Sequence, residues 1–114
     1  QALLALNQDP TENSCRPAVD VMLRSIVHHY GSNVLSLILT GMGQDGKLGC
    51  EQVVQSGGIV VVQDEASSVV WGMPGAVSQA GLAHLVVPLK ECASTITRLI
   101  ERGLRFRPNI SSTV

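Results

Sequence analysis

Eight residues, Leu39-Thr40-Gly41-Met42-Gly43-Gln44-Asp45-Gly46, hold a carboxylate among three glycines. Glycines this closely spaced imply a tight turn whose backbone another group can approach. Several chemistries fit such a turn. Gly41, Gly43 and Gly46 satisfy G-x-G-x-x-G, and Asp64 stands about 20 residues on, where a ribose-binding acid is expected. That pattern describes a dinucleotide-binding βαβ unit. Asp45 weighs against it, because an acid at the incoming helix N-terminus occupies the positive end that a pyrophosphate needs. Asp45 can also be read as a helix N-cap, which leaves Gly41 and Gly43 on either side of Met42 unexplained. A third reading has the turn present a carboxylate and a backbone N–H together at the edge of a sheet.

The elements that must position this turn are legible on both sides of it. Upstream, Pro17 suits a first helical position, and Val19, Met22, Leu23, Ile26, Val27 and Tyr30 form an apolar stripe at helical spacing. Asp20, Arg24 and His28 fall on the opposite side, and Gly31 is a natural stop. Three apolar runs follow, at 34–39, 59–62 and 85–87, and continuous runs of this kind suit strands buried on both faces of a parallel sheet. A helix is expected from Gly46 to Ser56, a short one from Pro74 to Gly81, and a last one after Pro88 to Gly103 with Cys92, Ile96, Leu99 and Ile100 inward. The alternation predicts an α/β fold: three layers, a mainly parallel sheet with flanking helices. Sites in open α/β sheets gather at the carboxyl ends of the strands, where the 39–46 turn lies. Residues 1–16 are irregular, with a strand-like stretch at 2–6 and a turn at Asp9-Pro10 near Asn13, and 104–114 reads as a frayed tail.

The 39–46 segment closely resembles the L-T-G-M-G-x-D-G signature of CheB-type protein-glutamate methylesterases. Arg16-Pro17-Ala18-Val19-Asp20-Val21 is similar to that family's R-P-S-V-D-V, with Ala18 in place of Ser. The stretch from Gln63 through Asp64, Ser67, Ser68 and Val69 to Gly72-Met73-Pro74 resembles its Q-D-x-x-S-[SA]-V-x-x-G-M-P. Three motifs in the right order span about residues 15–100, and 17–103 would then be the C-terminal part of the methylesterase domain. The resemblance implies a serine hydrolase that cleaves glutamate methyl esters on the cytoplasmic helices of chemoreceptors, releasing methanol, and deamidates certain glutamines. A Ser attacks, a His takes its proton, and an Asp orients the His. Asp45 matches the triad Asp, and Met42, through its backbone N–H, matches an oxyanion-hole donor. Members typically carry a regulatory receiver domain. No metal or organic cofactor is implied, and the expected location is cytoplasmic.

One departure is large. The family's nucleophile sits in a Gly/Ser/Thr-rich turn and its His in a later segment, both upstream of the region matched here. Neither motif occurs in this chain, and no G-x-S-x-G elbow does. The chain alone is therefore expected to be inactive. A non-catalytic remnant or interaction module of the same fold is the alternative, and the dinucleotide-binding unit comes third.

Composition agrees with one domain or a part of one. The chain has 114 residues, 45% hydrophobic and 15% charged, with a net charge of −1. That is too neutral for a nucleic-acid footprint and too apolar for disorder. No run approaches the roughly 18 apolar residues of a membrane span. Cys15, Cys50 and Cys92 lack metal-ligand spacing and read as reduced thiols. The chain opens on Gln1 rather than Met, so a processed product or a piece of something longer is expected. His28 and His29 read as solvated helix residues, His84 as an edge residue, and Asp64 and Glu65 as turn residues before Ser67-Ser68. Trp71 reads as packing under the turn, Met42 and Met73 as a joint apolar rim, and Arg105 and Arg107 as part of a solvated tail.

Overall fold

The computed structural model describes residues 8–12 and 18–103. Element order is α1 (Val19–Tyr30), β1 (Leu35–Ile38), α2 (Lys47–Gln55), β2 (Ile59–Gln63), α3 (Gly72–Gln79), β3 (Leu85–Val87) and α4 (Leu89–Glu101). The strands lie in the order β1-β2-β3 and both pairings are parallel, with Leu35 opposite Ile59 and Val61 opposite Leu85. The expected strand at 2–6, Asn13, Cys15, Pro17 and the 104–114 tail, with Arg105 and Arg107, lie outside the described residues. Asp9 and Pro10 form no regular turn.

Period-two alternation along β2 divides the core between two faces of the sheet. Val60 and Val62 meet Leu23 of α1, Cys50 and Val53 of α2 and Val77 of α3. Ile59 and Val61 meet Leu99 of α4, with Leu35, Leu37, Leu85 and Val87 alongside. The result is three layers, with α4 alone on its face. Fully burying one such aliphatic side chain is worth roughly 1.5–3 kcal/mol, so β2, buried along its whole length, is the strand on which both faces are built.

The expectation that all three strands are buried on both faces holds for β2 alone. β1 alternates between buried and half-buried, and Val86 of β3 is 49% exposed, because among the described residues β2 alone is paired on both sides. Helical stripes shift as well. Met22 and Tyr30 of the predicted α1 stripe are exposed, and Asp20, assigned to its polar side, is 1% exposed. In α4, Thr95 is buried where Ile100 was expected, and Ile100 stands in solvent. The short helix starts at Gly72, so Pro74 sits inside its first turn, where a missing N–H costs nothing.

His84 is half-buried rather than a plain edge residue. Its N–H donates to Val60 O at 2.8 Å, and its Nδ1 accepts the Val60 N–H at 3.0 Å, which extends the β2–β3 pairing by one position. Burial pushes this imidazole below its ordinary range. Nδ1 also needs its lone pair for the bond, so the folded chain favours the neutral form.

Two predictions follow from this packing. A Cβ at Gly49 would lie 2.6 Å from Leu23 Cβ and 3.2 Å from Asp20 Oδ1. Gly49→Ala therefore forces α1 and α2 apart, and urea denaturation is expected to read a loss of about 1–2 kcal/mol, overpacking exceeding the helix-propensity gain. Because the folded-state pKa of His84 is depressed, its contribution to stability is full above the unfolded-state value of about 6.5 and is lost as pH falls below it. Unfolding curves between pH 8 and 5 should show a smaller acid-side loss for His84→Asn, which keeps an acceptor without titrating.

Candidate active site

The 39–46 turn leaves the carboxyl end of β1 and is held against the 63–73 segment that leaves β2. Gln63, the last residue of β2, is fully buried. Its Oε1 accepts the Thr40 N–H at 2.8 Å, and its Nε2 donates to Ser67 O and Oγ. Its main-chain oxygen accepts the indole N–H of Trp71 at 2.8 Å. Thr40 and Val70 then exchange bonds, Thr40 Oγ1 donating to Val70 O and accepting the Val70 N–H. Gly41 donates its N–H to Val70 O and accepts the Met73 N–H, both at 2.9 Å, beside a parallel bridge to Trp71.

This lacing requires glycine where the two segments cross. A Cβ at Gly72 would lie 2.7 Å from Gly41 O and 2.8 Å from Gly43 N, both backbone atoms. Gly43 itself has φ 84°, a conformation that favours glycine. Met42 is thus held between a Gly41 bonded on both sides and a left-handed Gly43. Its side chain is 78% exposed. Among the described residues, none accepts from its backbone N–H.

Asp45 is buried, and its carboxylate caps a helix other than the one it was expected to cap. Its Oδ2 accepts the Val19 N–H at 2.7 Å and its Oδ1 the Asp20 N–H at 2.9 Å, at the N-terminus of α1. There Ala18 stands at the N-cap and has no side-chain oxygen to offer. The N-cap of α2 is Gly46, with φ 105° and no side chain either. Its free N–H groups are served by Asp20, whose Oδ1 accepts from Gly46 at 3.0 Å and from Gly49 at 2.7 Å. Each helix start is capped by the acid of the other. The dinucleotide reading fails on the same geometry, since the N–H groups that would cradle a pyrophosphate already hold Asp20.

Asp20 is the site residue that sequence reasoning missed. The available signal was a helix starting with Ala18 at its cap and an acid at its second position. Asp64 lies at the same sheet edge as Asp45 but is engaged in its own turn, its Oδ1 accepting the Ser67 N–H and Oγ–H, as the turn reading requires. Trp71 packs under the site as expected, its ring closing on Gly75. Met73, expected to share an apolar rim with Met42, is partly buried against the core, and its Sδ lies 3.0 Å from where a Cβ on Gly41 would be. His28 and His29 are exposed at the C-terminal end of α1, and His84 lies at the amino end of β3, so none belongs to this edge. Cys50 and Cys92 are buried free thiols, both pushed up by burial. Among the described residues, no three His, Cys, Asp or Glu are grouped to hold a metal ion. No helix there is long and apolar enough to cross a membrane.

Residues 2–96 match the family model described as CheB methylesterase. Over 97 residues the chain is 62% identical to the protein-glutamate methylesterase/protein-glutamine glutaminase of group 2 operon from Rhodospirillum centenum, covering 85% of this chain and 25% of that protein. It is 57% identical over 102 residues to the protein-glutamate methylesterase/protein-glutamine glutaminase from Azospirillum brasilense, covering 89% of this chain and 26% of that protein. The crystal structure of the Thermotoga maritima CheB methylesterase catalytic domain superposes with a TM-score of 0.78 at 37% identity, covering 80% of this chain and 48% of that one. The chain thus spans about a quarter of the length of the curated relatives it matches.

The crossing at Gly72 is open to a direct test. Gly72→Ala should break the Gly41–Met73 contact, so hydrogen exchange at the amides of Gly41 and Met73 is expected to accelerate more than tenfold. Unchanged exchange in the folded variant would show that the two backbones are not in contact.

Proposed function

The chain belongs to the CheB methylesterase family, and on that basis we propose that residues 17–103 supply two parts of a protein-glutamate methylesterase active site, the triad Asp and an oxyanion donor. Asp45 carries the first role and the Met42 backbone N–H the second. The observation that carries this reading is the grip on Asp45. Two helix N–H groups at 2.7 and 2.9 Å hold its carboxylate three residues from Met42, at the carboxyl edge of the sheet. In the triad reading its carboxylate also accepts an imidazole N–H. Asp45 would then select the tautomer of that imidazole and stabilise the imidazolium formed when it takes the serine proton.

The chemistry is acyl transfer. A serine oxygen adds to the carbonyl of a glutamate methyl ester on a receptor helix, the protonated imidazole returns its proton to the departing methoxide, and methanol leaves. Water, deprotonated by the same imidazole, then cleaves the acyl-enzyme. The Met42 N–H faces the negative oxygen of each tetrahedral intermediate, where one such donor is worth about 3–4 kcal/mol. Deamidation of glutamine follows the same path with ammonia as leaving group. The serine and the catalytic histidine come from outside the matched motifs, since His28, His29 and His84 lie away from Asp45. The reaction takes place in the cytoplasm, on receptor helices and under a receiver domain's control.

The test is a chimera in which this chain replaces its counterpart in the Rhodospirillum centenum enzyme, assayed by methanol release from a methylated receptor. The chimera should turn over, the 114-residue chain alone should not, and Asp45→Asn in the chimera should lower kcat about 10³–10⁴-fold. Activity within tenfold of the parent in a folded Asp45→Asn chimera would remove Asp45 from the triad. A chimera that binds the receptor but never turns over would favour the interaction module instead.

A further inference from the structure

We infer that Asp20 is the positioning residue for Asp45, holding the turn that presents the carboxylate; this rests on the triad reading of Asp45. The turn has little stiffness of its own. Asp45 lies between Gly43 at φ 84° and Gly46 at φ 105°, and glycine backbone is the most permissive available. A functional group nevertheless has to be held to about 0.5 Å and 10–20°.

The restraint comes through space. Asp20 Oδ1 accepts the N–H of Gly46, the residue directly after Asp45, at 3.0 Å, and that of Gly49 at 2.7 Å. Asp45 Oδ1 returns a bond to the N–H of Asp20 itself at 2.9 Å. The two acids thus close a ring between residues 25 and 26 positions apart, in which neither can shift without stretching the other's bond. Asp20 is 1% exposed, and a buried carboxylate is costly unless hydrogen-bonded. Two acids in one buried patch also repel. Two helix N-termini converge on them, each carrying roughly half a positive charge, which offsets part of that repulsion. The close approach depends on Gly49, where a Cβ would stand 3.2 Å from Asp20 Oδ1. No step of the reaction touches Asp20, so its effect passes through Asp45.

In the chimeric esterase, Asp20→Ala is expected to lower kcat about 10–100-fold, the scale of a displacement near 1 Å, with KM for the methylated receptor unchanged within twofold. Asp20→Asn keeps an oxygen for the two N–H groups and should recover most of that loss. Asp20→Ser, too short to reach both, is measured in parallel and carries the test if the alanine variant does not fold. Combined with Asp45→Asn, loss of Asp20 should cost nothing further. A folded Asp20→Ala or Asp20→Ser enzyme with parental kcat overturns the inference, as does a loss that adds in full to that of Asp45→Asn. If Asp45→Asn itself retains parental activity, the triad reading fails and takes this one with it. Sensitivity at Asp45 with none at Asp20 overturns only the positioning role.

Discussion

The exchange of carboxylates between two helix starts is the interaction on which the rest of this structure depends. Every α-helix begins with N–H groups that have no partner in the helix. α1 and α2 both begin without a side-chain cap, at Ala18 and Gly46. Each takes its acceptor from the other, Asp45 serving α1 and Asp20 serving α2. Losing Asp45 therefore leaves the start of α1 without its cap, and losing Asp20 uncaps α2 and frees the turn that carries Asp45. Stability and the proposed catalytic geometry share the same four hydrogen bonds.

A second set of contacts gives the opposite side of the turn its shape. Gln63 ends the most buried strand, and its amide joins Thr40 on one segment to Ser67 on the other. Its burial is affordable because both ends of the amide are bonded. The Thr40 hydroxyl, bonded to both main-chain groups of Val70, and the main-chain bonds of Gly41 with Val70 and Met73 continue the lacing. The exposed Met42 is therefore carried on backbone fixed at both sides, which suits an N–H that must be in place before charge develops. The asymmetry is informative: Asp45 is buried and its carboxylate is held by main-chain N–H groups 25 and 26 residues away, while Met42 is exposed and held by the main-chain bonds of its neighbours.

Among the described residues, β1 is paired on one side only, and Met22 and Leu39 are exposed near that edge. The Thermotoga maritima catalytic domain is about twice as long as the part this chain covers. Burial accordingly falls away from β2 towards its neighbours, and a pattern of continuous apolar residues in β1 and β3 overstates how enclosed those strands are here.

Much of the fold was legible because it rests on local signals. Apolar runs, the first two bounded by glycine, marked the three strands at their observed positions, and glycines such as Gly31 and Gly81 marked helix ends. The turn with Met42 and Asp45 was legible from its glycines and from its place after a strand. The role of Asp20 was not. On a helical wheel it falls opposite the apolar stripe, and only the packing of α2 against α1 buries it. Nor was it legible which helix Asp45 caps, because its partners lie 25 and 26 residues away and backbone N–H groups carry no residue identity. By itself the sequence determined the elements, their order and the turn that bears the chemistry, since propensity, periodicity and backbone freedom act over a few residues. Only the tertiary structure decided which groups meet, because satisfying a buried acceptor depends on what folding brings within 3 Å of it.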